Sequence, residues 1–165
     1  MIAKSIPDTL LDALRYDQET GQLFWKRSGS GRRKNLLAGC TYEGRKRIRH
    51  MGKNYPVSRI IWTMINGPIP EEIQIDHRDI TPSNNRLDNL RLATVNQNGT
   101  NKKKEPHKTS KYKGVCWNKR DKIWRVAIRI NGKIKHLGNF HDEYKAHLAY
   151  ADAAKQAFGE FARVL

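Results

Sequence analysis

Apolar and polar positions along the chain follow two periods, and the switches between them mark out the elements. Leu10, Leu11 and Leu14 fall on one helical face behind Pro7-Asp8, which predicts a short helix through TLLDALRYD, capped at Asp8 or Thr9. A turn at Thr20-Gly21 then feeds a strand over Gln22 to Lys26. From Gly44 to Ser58, GRKRIRHMGKNYPVS predicts two strands about a Gly52-Lys53 turn. Ile60, Ile61, Met64 and Ile65 give the next helix its apolar face, with Trp62 read as packing, and Gly67-Pro68 ends it. IQID and LRLA are short strands around the loop HRDITPSNNRLDN, and Thr94 is an N-cap for a helix from Val95.

Past a charged, Pro-interrupted linker at 102–109, KYKGVCW, KIWRVAIRI and KIKHLGNF alternate as three antiparallel strands, joined by NKRD and by an Asn131-Gly132 hairpin turn. Ala146, Ala149, Tyr150, Ala153, Ala154 and Ala157 recur at three- and four-residue spacing, which predicts a helix from about Asp142 to Phe158 that lies close against that sheet. Segregated strands and helices of this kind make an α+β protein, ending in a small three-stranded antiparallel sheet packed on one helix. The segment SGSGRRKN reads as a Gly/Ser loop with a basic tip.

Charge changes the picture from fold to partner. The 165 residues hold 32 Lys+Arg against 16 Asp+Glu, a formal charge of +16 with a pI near 10.1. A polyanion is the expected partner, and double-stranded DNA is favoured over a membrane surface or ribosomal RNA. The excess is uneven: Asn101 to Leu165 carries 16 basic and 6 acidic residues, so the last part of the chain is the stronger anion binder. The two cysteines, Cys40 and Cys116, exclude a disulfide framework and a four-cysteine zinc site. Neither a secretion signal nor an apolar run of membrane-spanning length is present, so a reduced cytosolic setting is expected, without membrane or evident protein partner.

The candidate chemistry sits in IDHRDITPSNNRLDNLRLATVNQN. His77 is of the type that takes a proton from water near neutral pH. Asp76 is a hard anionic oxygen suited to Mg²⁺, with Mn²⁺ as the alternative, and Asn98 on the following helix would add a second ligand. Neighbours on a strand point to opposite faces, so Asp76 and His77 cannot share one job. Asn89 would hold the loop or orient His77, while Asn85 and Asn96 read as loop and helix surface.

These residues resemble the HNH nuclease motif, in the phage and intron homing-endonuclease variant whose third letter is Asn. The lead-in YPVSRIIWTMINGPIPEEIQ is similar too, so the resemblance covers roughly 54–101. It implies a ββα-metal fold, His77 as general base, Asp76 and Asn98 as ligands of a divalent metal, and Asn89 as the catalytic-loop brace. Asn98 stands where many members have His, a weaker neutral ligand.

The C-terminal residues YKGV, WRVAIR, LGNF, EYKAHLAYADAA and GEFA resemble the plant APETALA/ethylene-response-factor DNA-binding domain over 110–162. The resemblance implies a sheet laid into the major groove. Alternation on the second strand places Arg125 and Arg129 opposite Trp124, Val126, Ile128 and Ile130, which leaves the arginines for base edges. Lys113, Lys119, Lys133 and Lys135 suit phosphates, and Trp117 and His136 complete the expected DNA contacts. Cys116, Asn118 and His136 depart from the plant pattern, so its target sequence does not carry over.

The expected organisation is an N-terminal helix/strand region over 1–53 that extends the DNA contact, a nuclease domain over 54–101, a basic linker over 102–109 and a DNA-binding domain over 110–165. The expected activity is metal-dependent DNA phosphodiester hydrolysis. The alternative is a DNA-binding regulator that keeps the basic sheet without the chemistry.

Overall fold

The computed structural model describes residues 5–29, 33–100 and 109–164. The basic tip of SGSGRRKN, at 30–32, and nearly all of the expected linker lie outside them. The chain divides into two compact units, Met1–Val95 and Asn96–Leu165. Among the described residues the elements are small antiparallel sheets with a few helices, an α+β fold. No described helix is long and apolar enough to cross a membrane.

In the first unit, helix α1 (Asp8–Asp12) is shorter than its leucine spacing predicts. Its N-cap is Pro7, without a side-chain cap, rather than Asp8 or Thr9. Leu14 belongs instead to strand β1 (Leu14–Asp17), which pairs with β2 (Gln22–Trp25) in the register Leu14↔Trp25 and Tyr16↔Leu23. The four-residue spacing of Leu10 and Leu14 fits a helix, but Leu14 and Tyr16 also alternate with Arg15 and Asp17, and the hairpin partner favours the second period. Asp17 starts the turn by accepting from Glu19 N at 3.1 Å, and Gly21 completes it at φ 68°.

A second sheet has the order β3–β4–β5, from β3 (Cys40–Tyr42), β4 (Arg45–His50) and β5 (Lys53–Pro56). Strand β3 was not predicted, because none of its residues is buried and no apolar alternation marks it. The β4–β5 turn is centred on Met51-Gly52, both at positive φ, one residue earlier than Gly52-Lys53. Helix α2 (Val57–Asn66) buries Val57, Ile60 and Ile61. It is followed by β6 (Gln74–His77) and β7 (Leu90–Ala93), and the short α3 (Val95–Thr100) begins at the last residue of this unit.

One hydrophobic core joins these elements: Leu10, Leu14, Leu23, Ile48, Ile60, Ile61 and Leu90 are all buried members. Each such side chain contributes about 1.5–3 kcal/mol on leaving water. The core runs across position 53, so the N-terminal segment and the β6–β7 hairpin fold around common packing.

The second unit is a sheet of order β10–β9–β8, built from β8 (Val115–Asn118), β9 (Ile123–Ile130) and β10 (Lys133–Phe140). Asn131 and Gly132, at φ 50° and 79°, form the two-residue turn that the sequence predicts. Helix α4 (Glu143–Phe158) is capped by Asp142, which accepts from Lys145 N at 2.7 Å. Ala146, Tyr150 and Ala154, one turn apart, pack on Val115, Val126 and Ile128. Ala157, placed in the stripe by its spacing, is exposed.

Candidate active site

Strands β6 and β7 form an antiparallel hairpin in the register Asp76↔Arg91 and His77↔Leu90. The pleat turns successive side chains to opposite faces, and the burial follows it: Asp76 is 4% exposed, whereas His77 is half-buried. The residue opposite Asp76 is its ion partner. Arg91 Nε and Nη2 both reach Asp76 Oδ2 at 2.8 Å, in a buried pair that the sequence reading missed. Cross-strand position was the available signal, once IQID and LRLA are paired from the loop outward.

His77 is held by Asn85, whose place in the sequence suggests only loop. Its Nε2 lies 3.1 Å from Asn85 Oδ1, and Asn85 is only 2% exposed. Asn85 Nδ2 donates to Ser83 O at 3.3 Å, which turns the amide oxygen toward the ring. With Asn85 Oδ1 as the acceptor, the neutral tautomer that this contact favours has its proton on Nε2.

Asn89 closes the loop rather than touching the ring. Its Oδ1 accepts from Asp79 N at 3.0 Å, and its Nδ2 donates to Asp79 Oδ1 at 2.9 Å and to Asn84 O at 2.8 Å. Asp79 also accepts from Thr81 N at 2.8 Å and Asn84 Nδ2 at 2.7 Å. Partial burial alone would raise its carboxyl, but these hydrogen bonds from Thr81, Asn84 and Asn89 hold it below the usual carboxylate range. The asparagine crowd is thus divided: Asn84 and Asn89 tie the loop, Asn85 holds the histidine, and Asn98 lies half-buried on α3.

The N-terminal hairpin braces the same loop from outside. Tyr16 Oη accepts from Leu87 N at 2.9 Å, and Arg86 Nη1 donates to Glu19 O at 2.7 Å. A Cβ on Gly21 would stand 2.5 Å from Arg86 N, so only glycine allows this approach.

The donor chemistry suits a lightly held hard cation. Among the described residues no three of His, Cys, Asp or Glu gather into a cage, as a structural zinc site would need. Asp76, a hard carboxylate, would suit a Mg²⁺-like ion, which keeps several waters and takes one or two protein ligands.

In the basic unit, strand register sorts the expected DNA contacts onto two faces. Arg125 and Arg129 are exposed on the side of β9 away from α4, with His136 beside Ala127 on the same face. Arg125 Nη2 is held by Asp121 Oδ2 at 2.8 Å, and Asp121 also accepts from Asn118 Nδ2 at 2.7 Å. Trp117 lies on the opposite face, opposite Trp124 with ring centroids 4.8 Å apart. Lys133 and Lys135 are paired with Ile130 and Ile128, so they too leave β10 on the helix side, exposed at the sheet edge. Lys119 is exposed in the β8–β9 turn. Lys113 is half-buried, and desolvation with the nearby Arg163 charge lowers its ammonium below the ordinary lysine value. Strand alternation is legible in the sequence, whereas the face each lysine takes follows only from the strand register.

The comparisons with known proteins agree with the hairpin. The profile of the HNH endonuclease family matches residues 55–100, which contain α2, β6, the loop and β7. The chain is 37% identical over 103 residues to Protein 3.8 of Escherichia phage T7, covering 62% of this chain and 84% of that protein. It is 36% identical over 124 residues to an uncharacterised HNH endonuclease of Acanthamoeba polyphaga mimivirus, covering 68% of this chain and 64% of that protein, slightly under two thirds of its length. No solved structure matches. The chain belongs to the family that includes Protein 3.8 of phage T7, and over residues 55–100 it carries an HNH endonuclease domain.

Proposed function

We propose that the protein is a metal-dependent DNA endonuclease of the homing type, in which His77 is the general base. The observation that carries this reading is the hydrogen bond between His77 Nε2 and the buried Asn85 Oδ1, on a hairpin matched by the HNH family. It orients the ring, and in this reading Nδ1 is the nitrogen that takes the proton of a water. The resulting hydroxide attacks phosphorus, and one ester oxygen leaves. Asp76 and Asn98 would hold a divalent cation, Mg²⁺ or Mn²⁺, which when bound supplies positive charge for the leaving oxygen. Arg91 fixes the Asp76 carboxylate, while Asn89 and Asp79 keep the loop closed.

The segment 110–165 is the DNA-docking part of this reading, joined by 102–109 to the nuclease domain at 54–101. Its support is the pair Arg125 and Arg129 on the exposed sheet face, with His136 beside them and Lys113, Lys119, Lys133 and Lys135 at the margins. Double-stranded DNA is the proposed partner.

Plasmid DNA incubated with Mg²⁺ or Mn²⁺ is expected to be nicked or linearised by the wild type and left intact by His77→Ala. Equal inertness of both proteins, with either metal and with relaxed or supercoiled DNA, would sink the nuclease reading.

A further inference from the structure

Strand β4 carries a row of arginines that no step of the proposed reaction uses. Arg45, Arg47 and Arg49 occupy alternate positions, while Ile48 and His50 between and beyond them are buried. The three guanidinium groups therefore leave the β3–β4–β5 sheet on the face away from the core. At about 3.4 Å per residue, neighbours in the row stand roughly 6.8 Å apart and the row spans about 14 Å. Pairing adds Tyr42 beside Arg45, Cys40 and Pro56 beside Arg47, and Asn54 beside Arg49, all exposed. The Arg47 guanidinium lies over the Tyr42 ring at 5.4 Å, which flattens it along the sheet.

Two features separate this row from an ordinary solvated face. Charges on an edge strand are explained by the need to block edge-to-edge pairing, but β4 is the central strand and both its edges are already paired. A surface built for solubility alternates signs, yet Cys40 to Pro56 holds five basic residues and one acidic residue, Glu43. Among the described residues no carboxylate pairs with Arg45, Arg47 or Arg49, in contrast to Arg125 and Arg91. Three like charges in a row repel one another until a polyanion covers them.

We infer that the outer face of β4 is a second nucleic-acid site, in which Arg45, Arg47 and Arg49 grip phosphates along one strand of a DNA duplex. Phosphates recur about every 3.4 Å of axis along each strand, so a row lying along the axis with a spacing of roughly 6.8 Å meets every second one. Guanidinium groups suit phosphate oxygens through their fork of donors. Ile48, from the same strand, packs in the core that holds Leu90 of the catalytic hairpin, so DNA on this face is held at a fixed offset from His77. The inference rests on the endonuclease reading only in taking DNA as the polyanion.

The test is binding of the full chain to a random-sequence duplex, measured by fluorescence anisotropy from 50 to 200 mM salt without divalent metal, for wild type, Arg45→Gln/Arg47→Gln/Arg49→Gln and Arg45→Lys/Arg47→Lys/Arg49→Lys. Each lost phosphate contact lowers the slope of log K against log salt by about 0.9, so the glutamine variant should lose roughly 2.7 units of slope. The lysine variant should retain the slope, since charge releases the counterions, and bind more weakly for want of the fork. Thermal melting is expected to be unchanged for both, because the side chains leave the sheet toward solvent. Single Arg49→Gln, losing about 0.9, serves as the check if the triple variant melts early. A glutamine variant that melts like wild type and keeps the wild-type slope overturns the site. So does a loss confined to an RNA duplex of the same sequence. Failure of the wild type to cut DNA would sink the endonuclease reading and leave this binding result standing, so the two outcomes are separable.

Discussion

A neutral imidazole takes a proton only at the nitrogen that carries none, and Asn85 decides which nitrogen that is in His77. Asn85→Ala removes the acceptor from Nε2, so the ring loses both its preferred tautomer and its orientation. Cleavage is expected to fall about 10–100-fold, as is common when an outer partner of a histidine is lost. His77→Ala should cost about 10²–10⁴-fold, the usual contribution of a general base. Asn85→Asp still offers an oxygen to Nε2 but sets its second oxygen against Ser83 O, so it should recover only part of the rate. Single-turnover plasmid cleavage decides the matter, and an alanine variant as fast as wild type would remove Asn85 from the site. Asp79 gives a second prediction of a different kind. Its carboxyl lies below the usual range in the folded chain, so the unfolded chain binds the proton more tightly. The stability it contributes is complete above about pH 4, the ordinary Asp value, and is lost as pH falls through the lower folded value. Asp79→Asn is therefore expected to melt at a lower temperature at pH 7 and to show a shallower decline as the pH falls below about 4, the ordinary Asp value; parallel melting curves over that descent would contradict it.

The loop between β6 and β7 holds its shape because another hairpin leans on it. Gly21 sits at φ 68° with its α-carbon against the Asn85–Arg86 backbone, so Gly21→Ala adds both strain and a clash. It should destabilise the first unit by more than about 1 kcal/mol and slow cleavage through Asn85. Tyr16→Phe leaves the Leu87 N–H without its partner at a cost of about 1–3 kcal/mol. Urea denaturation gives the stability and plasmid cleavage the coupling; a Gly21→Ala protein of wild-type stability would show that the approach is not tight. These supports explain which elements could be read from the sequence. The β6–β7 hairpin, α2, α4 and the three strands of the basic sheet have local signals: turn residues at fixed places, alternation and a helical stripe. The end of α1 did not, since Leu14 satisfies a helical and a strand period equally and only pairing with Trp25 breaks the tie. Strand β3, with every residue exposed, offers no pattern at all. At the site, His77 and Asp76 stand out by residue type, whereas Asn85 and Arg91 matter because chain closure brings them there. An asparagine eight residues from a histidine carries no mark of the contact.

At the scale of the whole molecule, a charge of +16 attracts a polyanion such as DNA without choosing a sequence, and the hydrolysis proposed at His77 would ignore sequence too. Selectivity must come from side chains that meet base edges. Arg125 and Arg129 have the position for this, two residues to either side of the small Ala127 on an exposed face, and Asp121 holds the Arg125 fork in a set direction. In the full chain, Arg125→Ala with Arg129→Ala should cost about 1–3 kcal/mol of discrimination at each base read, flattening the preference among sites. Lys119→Ala should weaken binding to every sequence alike and reduce the salt slope by about 0.9. If one chain carries both activities as proposed, loss of docking lowers the local concentration of the cutter at the site and leaves its chemistry intact. The arginine variant is thus expected to need more DNA for half-maximal cleavage and to reach the wild-type rate at saturation, while His77→Ala should bind with wild-type preference and fail to cut. Selection from a random duplex library gives the preference, and cleavage against DNA concentration gives the two kinetic parameters. An arginine variant that lost affinity equally on all sequences, or that fell in saturating rate as far as His77→Ala, would show that the basic sheet does not divide recognition from chemistry in this way.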